Sequence, residues 1–289
     1  FVGELANVLF LSMLGDVEII AAVGYASTIL FLLLSVGIGT AIAASALIAP
    51  AIGAGDLARA KRLSASSHVF AVIFAAFAGI IVWIYVPELI RLIGAEGRTL
   101  TLATSYLRIL IPFMTLMSLG MCASAVLRSQ GDARRSMNVT LVGAFVNVVL
   151  DPLFIFVLGL GIQGAAWATN LSRIAVAGFG VYWLIREHDL LGRPHLREVI
   201  DDARTIMRFA VPAILTNLAT PIANAYVTYA IARHGTPAVA AWALIGRIAP
   251  VAFGSIFALS GAVGPVLGQN LGARQWARVR EAFDVSILA

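Results

Sequence analysis

A carboxylate and an amide four residues apart are the first candidates for chemistry in this sequence. Asp151 and Asn147 share one helix face at this spacing, and Pro152 follows the acid. Proline has no N–H for the carbonyl of Val148, so we expect a kink that leaves a backbone oxygen beside the carboxylate. Such oxygens suit a proton or a small cation such as sodium. The alternative is a structural Asp that pairs with a Ser or Arg of another helix.

A second acid, Glu4, lies three residues before Asn7, so the two share a face of the first apolar segment. Of the fifteen acidic residues, Glu4 and Asp151 fall inside apolar segments, while the others lie in connections or at helix ends. An acid in hydrocarbon is costly and by default indicates function. For Glu4 an interfacial position is the alternative.

Two arginines also lie inside apolar segments. Arg173 lies on the sixth span close to Asn170 and Ser172. It either lines the interior of the bundle with them or braces Asp151, and both alternatives stay open. Arg247 lies near the outer end of its segment, where snorkelling to the interface accounts for it.

The composition requires a membrane. Of 289 residues 60% are hydrophobic and 12% are charged, and the mean hydropathy is +0.94. A soluble chain is roughly 25% charged, so a cytosolic enzyme is excluded. The net charge of +5 does not indicate nucleic acid, because the basic residues are dispersed in short groups between apolar runs.

The apolar runs predict helices that cross the membrane, which takes about 20 residues each. Long apolar runs of this kind predict a helical bundle, and the short alternating strands of a barrel are absent from the pattern. Because the chain starts and stops inside apolar runs, we expect a fragment cut within a span at both ends. Eight candidate spans and the start of a ninth lie at 1–14, 19–52, 68–86, 103–127, 138–159, 163–185, 206–232, 238–266 and from 282 onward.

The basic residues predict the orientation. Fourteen of the twenty Lys and Arg lie in four alternate connections, at 59–62, 128–135, 186–208 and 274–280. The positive-inside rule makes that side cytoplasmic. The longest polar connection, 186–205, predicts a linker between an amino-terminal six-helix lobe, 1–185, and the start of a second lobe, 206–289.

An internal repeat supports two lobes. A shift of 219 residues places Gly53 on Gly272 and Arg59 on Arg278, without gaps, within segments of the same design. Both copies start on the same side, so the repeat is parallel, although chance matching of helices rich in small residues is an alternative. The chain has no GxxxxGK[ST] phosphate loop, so we expect an ion gradient to drive any transport.

Two segments resemble the multidrug and toxic compound extrusion (MATE) family. GDARRSMNVTLVGAFVNVVLDPLFIFVLGLGIQGAAWAT, at 131–169, is similar to the family's signature of a GD turn, N-x-x-x-D-P and G-x-x-GAA-x-AT. VLGQNLGARQWARVREA, at 266–282, resembles its motif after the eighth span. The resemblance implies an all-α polytopic bundle of twelve spans in two lobes, of which this chain holds one nearly complete lobe and the start of the other.

The resemblance also implies an amino-lobe ion site. Asn147, Asp151 and Thr169 match the family's residues and are the candidate ligands for a sodium ion or the carriers of a proton. The family's first-span Asp is replaced by Asn7, and Glu4, one turn away, is the hypothetical source of the missing charge. The predicted seventh span carries no acid, unlike relatives that have a second site.

These residues predict a proton- or sodium-coupled antiporter that exports amphipathic, often cationic, organic compounds by alternating access. It needs no cofactor beyond the coupling ion, and no nucleophile, base and orienter recur together as in an enzyme. We expect a monomer in a bacterial-type inner membrane. The alternatives are a lipid-linked oligosaccharide flippase of the same superfamily and an inactive truncated remnant.

Overall fold

A computed structural model describes residues 7, 9–232, 242 and 254–288, and this part of the chain is helical without strands. Residue 7 and residues 9–12 are also helical, and they belong to an amino-terminal helical segment that precedes the helices proper. Their bounds are α1 Val17–Gly53, α2 Leu57–Ile84, α3 Val86–Leu92, α4 Gly97–Leu110, α5 Met114–Ser129, α6 Ala133–Pro152, α7 Gly161–Arg186, α8 Leu196–Ala232, α9 Gly254–Gly272 and α10 Trp276–Leu288.

Five helical stretches of the described part are long and apolar enough to cross a membrane: Val17–Gly53, Leu57–Ile84, Gly97–Ser129, Ala133–Val157 and Leu196–Asn224. The prediction of an all-α membrane bundle is confirmed. The predicted spans at 19–52 and 103–127 lie within these stretches, and those at 68–86, 138–159 and 206–232 overlap them and extend past their ends. Helix α7 covers the predicted span at 163–185.

Some helix ends differ from the prediction. The predicted span at 238–266 lies partly outside the described residues, and α9 continues beyond its predicted end to Gly272. Helix α8 begins at Leu196, inside the predicted linker 186–205. The physical reason is an apolar face with helical spacing, since Val199 and Ile206 are buried seven residues apart. The division into lobes at this connection stays a prediction.

Ion pairs bring the basic connections to one end of the bundle. Lys61 Nζ lies 2.6 Å from a carboxylate oxygen of Asp189, which follows α7. Arg62 donates to Asp202 of α8 at 2.9 Å, and Ser66 donates to the other oxygen of that buried carboxylate at 2.9 Å. The connections that share a side in the topology therefore meet in the fold.

Asp132 holds the turn between α5 and α6 at the same end. Its carboxylate accepts from the backbone N–H of Arg135 at 3.0 Å and so caps α6, and it also accepts from the Arg135 guanidinium at 2.6 Å. Nε2 of His188 lies 2.9 Å away. Partial burial acts to raise the pKa of Asp132, but the hydrogen bonds from Arg135 and His188 outweigh it and lower this pKa to about 2.

The internal repeat is visible where α1 crosses α9. A Cβ on Gly53 would lie 2.6 Å from the carbonyl carbon of Gln269, and a Cβ on Gly272 would lie 2.7 Å from that of Pro50. Residues 50 and 53 become 269 and 272 under the shift of 219, so the two contacts are reciprocal. Reciprocal contacts are the mark of a twofold axis between equivalent surfaces. The predicted parallel repeat is confirmed.

Ala49 lies on this approximate axis, because a Cβ on its own equivalent, Gly268, would lie 2.8 Å from the Ala49 Cβ. Further along α1 towards the other end, a Cβ on Gly39 would meet Ile214 of α8 at 2.5 Å. Helix α1 therefore packs closely against α8 at Gly39 and against α9 at Gly53.

Candidate functional site

The carboxylate of Asp151 lies in the interior of the first lobe and is 0% exposed. Asn147, one turn earlier on α6, donates its amide to Oδ2 at 2.7 Å. Asn7, from the amino-terminal helical segment, donates to Oδ1 at 3.3 Å. The structure thus brings together three of the five predicted site residues. Asn147 and Asp151 both lie on α6, and their four-residue spacing places them on the same face of that helix.

The irregular backbone near this site follows Pro152 instead of preceding it. Helix α6 is α-helical through Pro152, and a π-helical turn covers Leu153–Val157, where the N–H of Leu158 donates to the carbonyl of Leu153 at 2.9 Å. A Cβ on Gly164 would lie 2.5 Å from the carbonyl oxygen of Phe154, so α7 packs directly on this turn. The expected irregularity is present, but it is displaced towards the helix end, where π turns often mark functional sites.

Thr169 does not join the hydrogen bonds of the carboxylate. Its hydroxyl donates to the carbonyl of Ala165, one turn back on α7, at 2.9 Å. Among the described residues, the carboxylate of Asp151 accepts from the two asparagines. Glu4 lies outside the described residues, so its role stays a prediction.

Arg173 and Asn170 stabilise a break between two helices. Pro112 lies in a 3₁₀ turn at Ile111–Phe113 that separates α4 from α5 and leaves carbonyls without helical partners. Asn170 donates to the carbonyl of Ile109 at 2.8 Å, and Arg173 donates to that of Leu110 at 2.8 Å. This role was not predicted from the sequence, although Pro112 in the middle of a predicted span is a signal for such a break.

The other polar residues singled out from the sequence have a simple placement. Ser172 donates to the carbonyl of Gly143 at 2.7 Å and ties α7 to α6. Gly143 needs to be small there, because a Cβ would meet Ser172 Oγ at 3.3 Å and Val176 at a shorter distance still. Arg247 lies outside the described residues.

The arrangement around Asp151 can hold one positive charge. None of the ion pairs in the described part of the chain includes Asp151, so its charge is balanced only by the two amide dipoles. A buried carboxylate without a paired cation is costly, and taking up a proton or a small cation removes that cost. Amide side chains turn readily, so Asn7 and Asn147 present either N–H groups to the carboxylate or oxygens to a cation.

Comparison with known proteins gives a consistent result. The MatE family model matches residues 1–153 and 212–289. A FAD transporter of Shewanella oneidensis is 32% identical over 98% of this chain and 64% of its own length. The probable multidrug resistance protein YoeA of Bacillus subtilis is 27% identical over 99% of this chain and 64% of its own. The chain thus spans just under two thirds of the length of these relatives.

Solved structures agree with the sequence matches. A transporter of the MOP superfamily from Pyrococcus furiosus superposes with a TM-score of 0.89 and 27% identity, covering 99% of this chain and 64% of that one. An outward-facing multidrug resistance transporter of the MATE family superposes with a TM-score of 0.88 and 27% identity over the same shares. Nearly the whole of this chain therefore superposes on about two thirds of each structure.

Proposed function

Because the chain belongs to the MatE family of membrane transporters, and not to a family of enzymes, we propose that the protein containing it is an ion-coupled exporter of organic compounds. Export would proceed by alternating access between the two lobes, driven by a proton or sodium gradient. The natural location for this activity is the bacterial inner membrane, and the transport unit is a monomer with one site per amino-terminal lobe.

The observation that carries the proposal is the carboxylate of Asp151. It lies within a membrane-spanning helix, is fully buried, and accepts one amide from its own helix and one from the amino-terminal segment. An intramembrane acid of this kind marks an ion pathway more often than a packing contact.

The two hydrogen bonds supply a mechanism for coupling. The bond from Asn7 to Oδ1, at 3.3 Å, is longer and weaker than the bond from Asn147 to Oδ2, at 2.7 Å. A proton added at Oδ1 removes the negative charge and makes that oxygen a hydroxyl, which is a weaker acceptor for the amide of Asn7. Protonation therefore loosens the amino-terminal helical segment from α6, while the hydrogen bond from Asn147 is kept. A sodium ion bound between the carboxylate and the two amides would instead hold Asn7 and Asp151 more tightly together. Either change gives the ion a different affinity for two arrangements of the helices, which is what coupling requires.

The substrate class we propose is amphipathic organic compounds, including organic cations. Multidrug export protein MepA of Staphylococcus aureus, 23% identical over 98% of this chain, and the multidrug resistance protein of B. subtilis support it. A flavin nucleotide is the second candidate, since the FAD transporter of S. oneidensis reaches 32% identity. The two candidates differ in charge, so one assay with both compounds separates them.

The test is efflux from vesicles that contain the full-length protein, with a fluorescent organic cation or FAD inside and a proton or sodium gradient imposed separately. We expect one gradient to drive efflux and Asp151→Asn to abolish that dependence. Asp201→Asn, an exposed acid of α8, is the matched control and should transport normally. Gradient-driven efflux by Asp151→Asn at the wild-type rate would contradict the proposal.

A further inference from the structure

Arg128, near the end of α5, is the starting point for a second site. Its guanidinium is half-buried, and Nη1 donates to the hydroxyl of Ser136 on α6 at 2.9 Å. The Ser136 hydroxyl in turn donates to the carbonyl of Ser124 at 3.1 Å, which leaves it no further proton to offer. A guanidinium has five N–H donors, and the hydrogen bond to Ser136 uses one of them. Most of the N–H groups of Arg128 are therefore available to a ligand.

The charge of Arg128 is not balanced as its neighbours' charges are. Arg62 is paired with Asp202, and Arg135 with Asp132, at the same end of the bundle. Within the described part of the chain, Arg128 has no acidic partner among the ion pairs. A half-buried cation without a counter-charge among the described residues is stabilised by an anion that binds beside it.

The guanidinium lines a cavity between the two lobes that has room for such an anion. The cavity has a volume of about 370 Å³ and is formed by the end of α5, the first two turns of α6 and the middle of α9. The cavity opens widely to its surroundings, so a phosphate group can reach the guanidinium from outside. Gly261 and Ala262 form the α9 wall, and because they are small they leave the space in front of Arg128 open.

The donors in the cavity match a phosphate group better than a carboxylate. The planar guanidinium donates two parallel N–H bonds to two oxygens of either anion. The exposed hydroxyl of Thr140, one turn beyond Ser136 on α6, also lines the cavity. A phosphate group has a third oxygen for that hydroxyl, whereas a carboxylate would have to share one of its two oxygens between the hydroxyl and the arginine.

We propose that the cavity of Arg128, Ser136 and Thr140 between the lobes is a binding site for the phosphate group of an organic phosphate. Two sources supply this group at the basic end of the bundle: the headgroup of an anionic phospholipid and the phosphate of a soluble nucleotide. The site is separate from Asp151, and its existence does not depend on the proposed transport activity.

The experiment measures binding by the full-length protein, with two probes. ADP is titrated into protein in a maltoside detergent, which contains no phosphate, and phosphatidylglycerol retention is measured by native mass spectrometry. Arg128→Met removes the charge and keeps an unbranched side chain, and we expect it to weaken the bound probe by about tenfold or more, the usual effect of losing a charge-assisted hydrogen bond. Arg134→Met, an exposed arginine in the first turn of α6, is the control and should bind as the wild type does.

The outcomes are distinct. Arg128-dependent retention of phosphatidylglycerol alone identifies a lipid site, and Arg128-dependent binding of ADP identifies a nucleotide site. If Arg128→Met does not fold, Thr140→Val decides the question, because it removes an exposed hydroxyl without changing the side-chain shape and should weaken the probe several-fold. The proposal would be overturned if the wild type binds neither probe, or if these variants leave binding unchanged. If Asp151→Asn loses transport but still binds the phosphate probe, the two sites are independent.

Discussion

The crossing of α1 and α9 offers a quantitative test of how the lobes close. The change is Gly53→Ala together with Gly272→Ala, which adds one methyl group to each half of the reciprocal contact. Neither glycine has a positive φ, so alanine fits the backbone at both positions. What the substitutions perturb is the approach of the two helices.

The size of the effect follows from the distances. The new Cβ atoms would lie 2.6 Å and 2.7 Å from the carbonyl carbons of Gln269 and Pro50, whereas ordinary contact begins at 3.4 Å. The carbonyl oxygens of the same two residues would lie nearer still, so the helices must separate by at least about 0.8 Å, and overpacking on this scale costs about 1–3 kcal/mol. That energy shifts the balance between lobes joined and lobes apart at the basic end by roughly 5- to 150-fold.

The assay is a distance measurement by double electron–electron resonance. Spin labels are attached at Ala54→Cys and Ala273→Cys, exposed equivalents that directly follow the crossing, after the native cysteines, Cys122 included, have been replaced. We expect the double alanine variant to populate longer distances than its parent. Gly24→Ala is the matched control, because it adds the same methyl group to α1 where no atom lies within 4 Å.

A distance distribution in the double alanine variant that matches its parent would refute this reasoning, because the added methyl groups would then have found room without separating the helices. A shift of equal size in Gly24→Ala would also refute it, since the effect would then come from the loss of glycine and not from the crossing.

Three further predictions concern hydrogen bonds and charge. Asn147→Leu removes the 2.7 Å donor to Asp151, and we expect gradient-driven efflux to fall by about tenfold or more, measured in vesicles. Asp202→Asn leaves Arg62 without its acid, and because that arginine is 43% exposed we expect a loss of only about 1 kcal/mol, measured as a lower midpoint of thermal unfolding. Asp132→Asn should lower the same midpoint at neutral pH. The native pKa of Asp132, about 2, lies below its ordinary value of 3.8. The stabilisation by its carboxylate is therefore complete above about pH 4 and is lost as the pH falls towards 2. A difference in midpoint between wild type and Asp132→Asn that stays constant across this range would contradict the assignment.

Local spacing predicted one half of the site. Asp151 and Asn147 meet because they are four residues apart on one helix, and that relation is contained in the sequence. The shift of 219 residues was likewise readable, and it identified the glycines that later proved to be in reciprocal contact. These features depend on periodicity and on comparison of the sequence with itself, and both can be read from the sequence alone.

The other half depends on contacts between distant residues. Asn7 reaches Asp151 across 144 positions, and only the family resemblance suggested that pairing. In the sequence, Arg173 is as suited to Asp151 as to any other partner, because nothing in its own helix shows that Pro112 breaks a neighbouring one. The start of α8 at Leu196 could not be predicted for a different reason. The charged residues of its first turns resemble a polar linker, and only the burial of Val199 and Ile206 shows that they belong to a helix.

The central claim is that Asp151 carries the coupling ion, and ion movement during transport tests it most directly. In vesicles containing the full-length protein, proton flux is followed with an entrapped pH-sensitive dye and sodium flux with a radioactive tracer while substrate is moved. We predict that substrate movement drives one of these ions in the opposite direction in the wild type and in Asp201→Asn, and drives neither ion in Asp151→Asn. Undiminished substrate-driven ion flux in Asp151→Asn would show that the ion is bound elsewhere.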